Sequence, residues 1–483
     1  MLRGWGLAST LICSHAVVHS QSLVEPKLQA IEQAATHAPQ GYDWLVWSAT
    51  HVGHRLTGTS HGARAEAMAD SLFRASGLAG VSYFPFEARA WQRDSVGLEL
   101  ASRDSTYRPD CVALAHSPVA ASVEAPLLDL GNGLQADHDR LAGQVRGRLV
   151  LVNLGLVDAP KDAGNLHRSE KTALAIHAGA AGILFVNNVA GHVLLTGTAS
   201  VSGELIPVPA ACISSEDGAI LRRWLEQGRP VRAHLNMTNH SDLVTARNVI
   251  AEIPGSDLAQ EVVIVGGHLD CWDLATGATD NGLGSFSILD MARCLTVSGL
   301  RPRRTIRFVL FMGEEQGLLG SRALVDHYRS TGELANIRCM VNMDMTGHPQ
   351  GFNVTGPNGW EQVVERFNAE IRTVDSAAFA GRTSTGAGLH SDHQPFMLAG
   401  VPVISPQSDL GSHVYGCYHS SCDDIHLVDP QAMVDNVRFV GMFMALLADA
   451  EALPPTFTEE QLKARMISEG LEEKLRIGGD WRW

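Results

Sequence analysis

Basic residues are in short supply in this chain. Its 483 residues include 37 lysines and arginines against 52 acidic residues, a formal net charge of -15. A surface this acidic repels nucleic acid and anionic lipid, so neither is expected as a partner. Acidity also keeps an exported protein soluble, and it carries no information about a substrate. Cysteine is scarce as well. Of eight, Cys13 lies in the apolar N-terminal stretch, and the remaining Cys111, Cys212, Cys271, Cys294, Cys339, Cys417 and Cys422 are odd in number and scattered. That pattern excludes a disulfide scaffold and reads mostly as small buried thiols. A Cys417–Cys422 bridge is compatible with the spacing and stays open. Repeats and low-complexity tracts are absent. So is any later stretch long and apolar enough to span a bilayer. The H-E-x-x-H pattern of one-metal proteases does not occur.

One apolar run does occur, at the start. Arg3 supplies a positive end, Gly4 to Val18 is mostly apolar or small, and Val18-His19-Ser20 suits a cut before Gln21. Residues 1–20 therefore read as an export signal, and the mature protein is expected to be secreted or periplasmic.

The remaining length exceeds one typical domain. Residues 22–80 read as helical, with apolar residues at three-to-four spacing in "LVEPKLQAIEQAATH" and "GARAEAMADSLFRASGL". "GVSYFPFEARAWQRDSVGLEL" then alternates as strands do. From about Ser122 the texture changes to short buried strands and helices: "LVLVNLG", "EKTALAIHAGAAGILFVNN", and "ELIPVPAACISSEDGAILRRWLEQG" with a capping signature at Ser214–Ser215. This unit carries no cluster of metal-type residues. Residues 246–450 alternate strand and helix, and the runs "NVIAEI", "VVIVGG", "TIRFVLFM", "CMVNMDM" and "VPVIS" are continuously apolar. Such strands are covered on both faces, so the expected fold is α/β, a mostly parallel mixed sheet flanked by helices. The expected units are 21–121 with 246–452 as one domain, 122–245 as an α/β insertion, and 453–483 as a helical extension at the surface or in a subunit contact.

In open α/β sheets, sites form at the carboxyl ends of strands. Three of these strands end in metal-type residues: His268 and Asp270, then Glu314 and Glu315, then Asp344. Asp280 follows in a loop relaxed by Gly277, Gly282 and Gly284. Each has an ordinary reading alone, as a helix cap, a dipole partner or a turn former. Together, so many carboxylates would repel by several kcal/mol and raise each other's pKa. Divalent cations remove that cost, and histidine with carboxylate suits zinc, with cobalt or manganese also permitted. "YGCYHSSCDDIHLVD" offers His419, with His413 and His426 as competitors. The set His268, Asp280, Glu315, Asp344 and His419 gives two cations two private ligands each and one bridge.

"GGHLDCWDLATGATDNGLG", "FMGEEQGLLGS", "NMDMTG", "SDHQPF" and "YHSSCDD" together resemble the dizinc exopeptidases of peptidase family M28, over roughly residues 40–120 and 246–450. The middle unit resembles a protease-associated (PA) domain. The resemblance implies a zinc exopeptidase fold. It implies His268 and Asp344 on one zinc, Glu315 and His419 on the other, and Asp280 between them. Glu314 would be the general base and Asp270 the orienter of His268. Asp423 would organise a loop. No role carries over to Asp273, His390 or His393. The implied activity is hydrolysis of dipeptides or short peptides, with an aminopeptidase as the near alternative, and a homodimer is compatible with the family. A one-zinc glutaminyl cyclase or a receptor-like protein that has lost its ligands are the more distant readings.

Overall fold

In the computed structural model, residues 14–103, 105–161 and 163–483 are described. The expected export signal lies, for residues 1–13, outside them. The first helix runs Ser14–His37. Among the described residues no helix is long and apolar enough to cross a membrane.

The strands in chain order are β1 Ala79–Ser102, β2 Ser105–Tyr107, β3 Val112–Ala113, β4 Ala120–Gly131, β5 Leu149–Asn153, β6 Gly182–Val186, β7 Ala210–Ile213, β8 Arg232–Ile253, β9 Leu258–His268, β10 Arg304–Phe311, β11 Ile337–Asn342, β12 Gly351–Thr355, β13 Arg382–Thr385 and β14 Val403–Pro406. They form one hydrogen-bonded path, β13-β12-β14-β11-β9-β10-β8-β4-β5-β6-β7-β3, with β1 also on β8. Its centre is parallel: β14, β11, β9 and β10 run in one direction. Those strands read as unbroken apolar runs because helices cover both faces. Val263, Val265, Phe308, Leu310 and Val341 pack in one cluster with the helix Leu283–Val297, and Ile264, Val309 and Met340 pack in another on the opposite face.

The inserted unit is hydrogen-bonded into this sheet. The anticipated boundary near residue 245 falls inside β8, a single strand of 22 residues. Its first half pairs with β4 of the insertion and its second half with β10 of the main sheet. β1 lies antiparallel along nearly all of β8. A two-stranded ribbon therefore serves both units, and the insertion is hydrogen-bonded to the main sheet instead of hanging from a linker.

The C-terminal extension packs one face on the main domain. It forms two helices, Glu459–Ser468 and Glu472–Ile477, broken where Gly470 takes a φ of 69°. Leu462, Met466, Leu471 and Leu475 form a buried stripe against Phe311, Leu324, Tyr328 and Phe396. Asp480 then closes a two-bond ion pair with Arg322, both bonds 2.8 Å. The spacing of those four apolar residues marks a face that needs covering, and the main domain covers it.

Candidate metal centre and active site

β9 ends at His268, and the chain crowds around that end because glycines let it. A Cβ at Gly267 would sit 2.3 Å from the Met343 carbonyl oxygen, and one at Gly284 would sit 2.3 Å from Asn281 Oδ1. With those atoms missing, the loop bearing Asp280 and the loop bearing Asp344 reach the strand end. Asn281 ties them: its Nδ2 donates to the Met343 carbonyl at 2.7 Å, and its Oδ1 accepts from the amides of Gly284 and Met345 at 3.2 Å.

The five expected residues meet there. Asp280 turns one carboxylate oxygen to each histidine, Oδ1 lying 3.2 Å from His268 Nε2 and Oδ2 lying 2.9 Å from His419 Nε2. Asp344 is 3.3 Å from His268 Nε2, and Glu315 is 2.9 Å from His419 Nε2. His268, Asp280, Glu315 and His419 are all buried. His413 and His426, the competitors for the last position, are exposed and lie outside the cluster. Glu315 also has one buried oxygen, Oε1, with no hydrogen-bond partner. An orphaned carboxylate oxygen in a group of two imidazoles and three carboxylates is what a divalent cation satisfies, so the residues fit the implied metal.

The electrostatics express the same crowding. Burial and the neighbouring Glu315 and Asp344 push Glu314 well above the usual carboxylate range, against the pull of His268. Burial likewise raises Glu315 and Asp270. Burial works against charge on His268, but Glu314 and Asp344 outweigh it and lift that ring well above its ordinary value. Burial opposes the charged form of Asp280 too, and the two histidines override it, so its carboxyl is held far down. Positive charge held between these groups would oppose that crowding.

Around the five, supports are visible. Asp423 accepts from Thr279 N at 2.8 Å, Thr279 Oγ1 at 2.6 Å and Asp280 N at 3.0 Å, and so fixes the residue that faces both histidines. Asp270 sits beside His268 in another manner than expected. Its backbone carbonyl is the near neighbour of Nδ1, at 3.0 Å, while its carboxylate is 3.8 Å away. That carboxylate is committed elsewhere, to the Thr57 hydroxyl at 3.0 Å and the Glu314 amide at 3.3 Å. It therefore positions the segment that carries Glu314. Asp273 forms a two-bond ion pair with Arg93 of β1, at 2.7 and 2.8 Å, and Arg93 also donates to Thr196 and Ala113. This residue bolts the insertion to the turn after β9. Cys417 and Cys422 are bridged, flanking His419.

Residues that no motif pointed to complete the site. Arg55 is buried and donates to the carbonyls of Leu269, Thr276 and Gly277, clamping the turn between β9 and Asp280. A cavity of about 110 Å³ opens beside Glu314, Glu315 and His419. Its other walls come from the insertion, including Arg168 and Glu170, and from the tail, including Lys474 and Asp480. His390 stands at that seam, stacked on His167 of the insertion and 3.5 Å from Glu170, whereas His393 turns to the Gly388 carbonyl. These contributions are tertiary, so spacing along the chain gave no signal of them. Only one G-x-S-x-G spacing exists, Gly58–Gly62, and it is no nucleophile elbow: Ser60 is exposed and starts the helix Ser60–Ala75 after a turn, with no strand before it.

Residues 248–444 match the model of peptidase family M28, and residues 118–221 match the PA domain. Among named relatives, carboxypeptidase Q of Bos taurus is 26% identical over 425 residues, covering 86% of this chain and 87% of its own. A probable leucine aminopeptidase 2 of Aspergillus fumigatus is 28% identical over 395 residues, covering 75% and 74%. Among solved structures, a peptidase M28 precursor from Shewanella amazonensis superposes with a TM-score of 0.76 at 23% identity, covering 91% of this chain and 100% of that one. A zinc aminopeptidase from Bacillus subtilis superposes with a TM-score of 0.63 at 24% identity, covering 87% and 97%.

Proposed function

Because this chain belongs to peptidase family M28 and carries a PA domain, we propose that it is a two-zinc exopeptidase acting on dipeptides and short peptides outside the cytoplasm. The observation that carries the reading is the Asp280 carboxylate. It presents one oxygen to each of two histidines, and each histidine has a second carboxylate of its own. His268 and Asp344 would hold one zinc, Glu315 and His419 the other, with Asp280 shared. When bound, the cations supply Lewis-acid polarisation of the scissile carbonyl and a water of lowered pKa.

The remaining work falls to the chain. Glu314 is only half-buried and lines the cavity, and its carboxylate approaches the His268 and Asp344 ligand atoms. It takes the proton of the attacking water and returns it to the leaving amine. Glu315, one residue on, is turned to His419 and is not free to do so. Asp270 holds the Glu314 backbone in register through its amide. An extracytoplasmic location is supported by the signal-like N-terminus and by the Cys417–Cys422 bridge, since such bridges persist in oxidising compartments.

A second reading, release of N-terminal residues from longer peptides, is favoured by the aminopeptidase names among the relatives. The test is a panel of dipeptides, N-acetylated peptides and C-amidated peptides, with and without a chelator. Hydrolysis of free dipeptides that stops on chelation and returns with zinc is expected. Hydrolysis indifferent to chelation, or none from zinc-loaded protein, overturns the proposal. Full-rate cleavage of N-acetylated peptides excludes both the free-amine dipeptidase and the aminopeptidase.

A further inference from the structure

The cavity beside the acid cluster is small. Its volume is about 110 Å³, against roughly 300–1,000 Å³ for pockets that enclose drug-sized ligands. Each added residue lengthens an extended peptide by about 3.3–3.6 Å. Whatever closes the cavity therefore sets the longest peptide it takes. Two walls come from the matched units, with Glu314 and His419 on one and Glu170 on the other. The third comes from residues outside both matched ranges: Lys474, Leu475, Gly478 and Asp480 of the C-terminal extension.

Packing alone does not explain that third wall. The buried stripe of the extension ends at Leu475; beyond it Trp481 and Trp483 touch the same cluster and stay partly exposed. A segment with so little buried apolar surface opens readily unless it is tied. The ties stand at the cavity rim. Arg322 and Gln394 both line the cavity, and both donate to the Asp480 carboxylate, Arg322 twice at 2.8 Å and Gln394 at 2.7 Å. The Asp480 amide closes a turn onto the Leu475 carbonyl at 2.8 Å. Outside the cavity, Arg482 donates to the Leu398 carbonyl and to Glu459, and the Trp483 indole donates to Glu459 at 2.8 Å. The helix Glu472–Ile477 also lies against the insertion's helix Arg168–His177. The extension thus bridges the insertion and the helix that carries Arg322, Leu319–Thr331, and all three wall the cavity.

We propose that the extension is a strap that limits substrate length, with Lys474 and Gly478 as its wall and Asp480 as its pin. It admits dipeptides and shuts out peptides of four or more residues. The inference rests on the peptidase reading above. It gives the choice between dipeptides and longer peptides to residues outside the matched ranges. Asp480 acts here as a positioning residue, through the segment it holds.

The experiment measures kcat/KM of zinc-loaded protein on one alanine series of two, three, four and six residues. Forcing extra volume into a packed site should cost wild type about 10- to 100-fold between the dipeptide and the tetrapeptide. Asp480→Ala unpins the strap, and Lys474→Ala shortens a wall side chain. Each should return roughly threefold to tenfold of that loss by raising turnover of the tetrapeptide. Asp480→Asn keeps one acceptor oxygen and should fall between wild type and Asp480→Ala. Arg482→Ala, outside the cavity, should leave the dipeptide rate unchanged and raise the tetrapeptide rate. A merely structural defect lowers every rate together, so a gain on the longer peptide separates the two roles. A second readout needs no turnover: trypsin should cut after Arg476 faster in Asp480→Ala than in wild type, and equal rates would remove Asp480 as the pin. Should Asp480→Ala fail to fold, Asp480→Asn, Lys474→Ala and Arg482→Ala carry the comparison. Equal use of dipeptide and hexapeptide by wild type, or an unchanged ratio in the strap variants, overturns the strap while leaving the peptidase intact. Cleavage of no member of the series by any zinc-loaded protein overturns the peptidase reading and the strap with it.

Discussion

Replacing Asp423 should loosen the metal centre although Asp423 touches neither histidine. Its carboxylate accepts three hydrogen bonds, from Thr279 N at 2.8 Å, Thr279 Oγ1 at 2.6 Å and Asp280 N at 3.0 Å. Asp423→Ala removes both acceptor oxygens and with them all three bonds, stranding two buried amides. Each stranded amide costs about 1–3 kcal/mol, so the destabilisation should be roughly 2–6 kcal/mol. Asp423→Asn keeps an oxygen for the Thr279 pair but turns an NH2 group towards the Asp280 amide, so it should cost about half as much. Freed at its amide, Asp280 no longer holds one oxygen on each histidine. Removing an outer partner of a metal ligand typically lowers affinity about 10- to 100-fold. The assays are thermal melting of the metal-free variants and competition for zinc against a chromophoric chelator. The expected order in both is wild type, then Asn, then Ala. An alanine variant that holds zinc as tightly as wild type would refute the idea that this loop contact positions the shared carboxylate.

Other outcomes follow from the same geometry. Glu314→Gln should still bind metal and lose about 10²–10⁴-fold in kcat, as removal of a general base does; a near-normal kcat would show that another group moves the proton. Gly267→Ala should lower metal affinity, since its methyl would meet the Met343 carbonyl at 2.3 Å and displace the Asp344 loop; an unchanged zinc titration argues against that dependence. His116, which packs against Thr198 of the insertion, is fully buried and its pKa is lowered by burial to about 4 from 6.5. The unfolded chain protonates first, so the stability tied to the neutral ring is complete above pH 6.5 and is lost as pH falls towards 4. The loss should reach about 3 kcal/mol. His116→Asn, which tolerates the same backbone and does not titrate, should flatten urea midpoints across that window. Equal acid sensitivity in the two proteins would remove His116 as its source.

Much of this centre was legible because of how strands present residues. His268, Glu315 and Asp344 stand at or just beyond the ends of β9, β10 and β11, which are parallel neighbours, so a sheet-edge argument brings them together without further knowledge. Asp423 was expected to organise a loop and accepts the bonds described. What stayed hidden lies in long-range placement. Local alternation marks a strand but does not say which neighbours it keeps, so only "NVIAEI" at the end of β8 was legible, and the unit boundary at 245 falls within a strand that changes partners midway. For the extension, amphipathic spacing reveals a face to be covered without revealing the cover, here Phe311, Leu324 and Phe396. Asp270 was expected to face His268 with its carboxylate, and the backbone carbonyl lies nearer because Thr57 and the Glu314 amide hold the side chain. Arg55 and Arg168 act on loops more than 200 positions away, and no spacing encodes that.

Everything proposed depends on two cations lying between His268 and His419, and the zinc content of the purified, reloaded protein examines that most directly. Elemental analysis should give two zinc ions per chain, falling towards one in His419→Ala while His268 and Asp344 keep theirs. A wild-type content of one or none, unaltered by excess zinc, would contradict the shared-carboxylate centre.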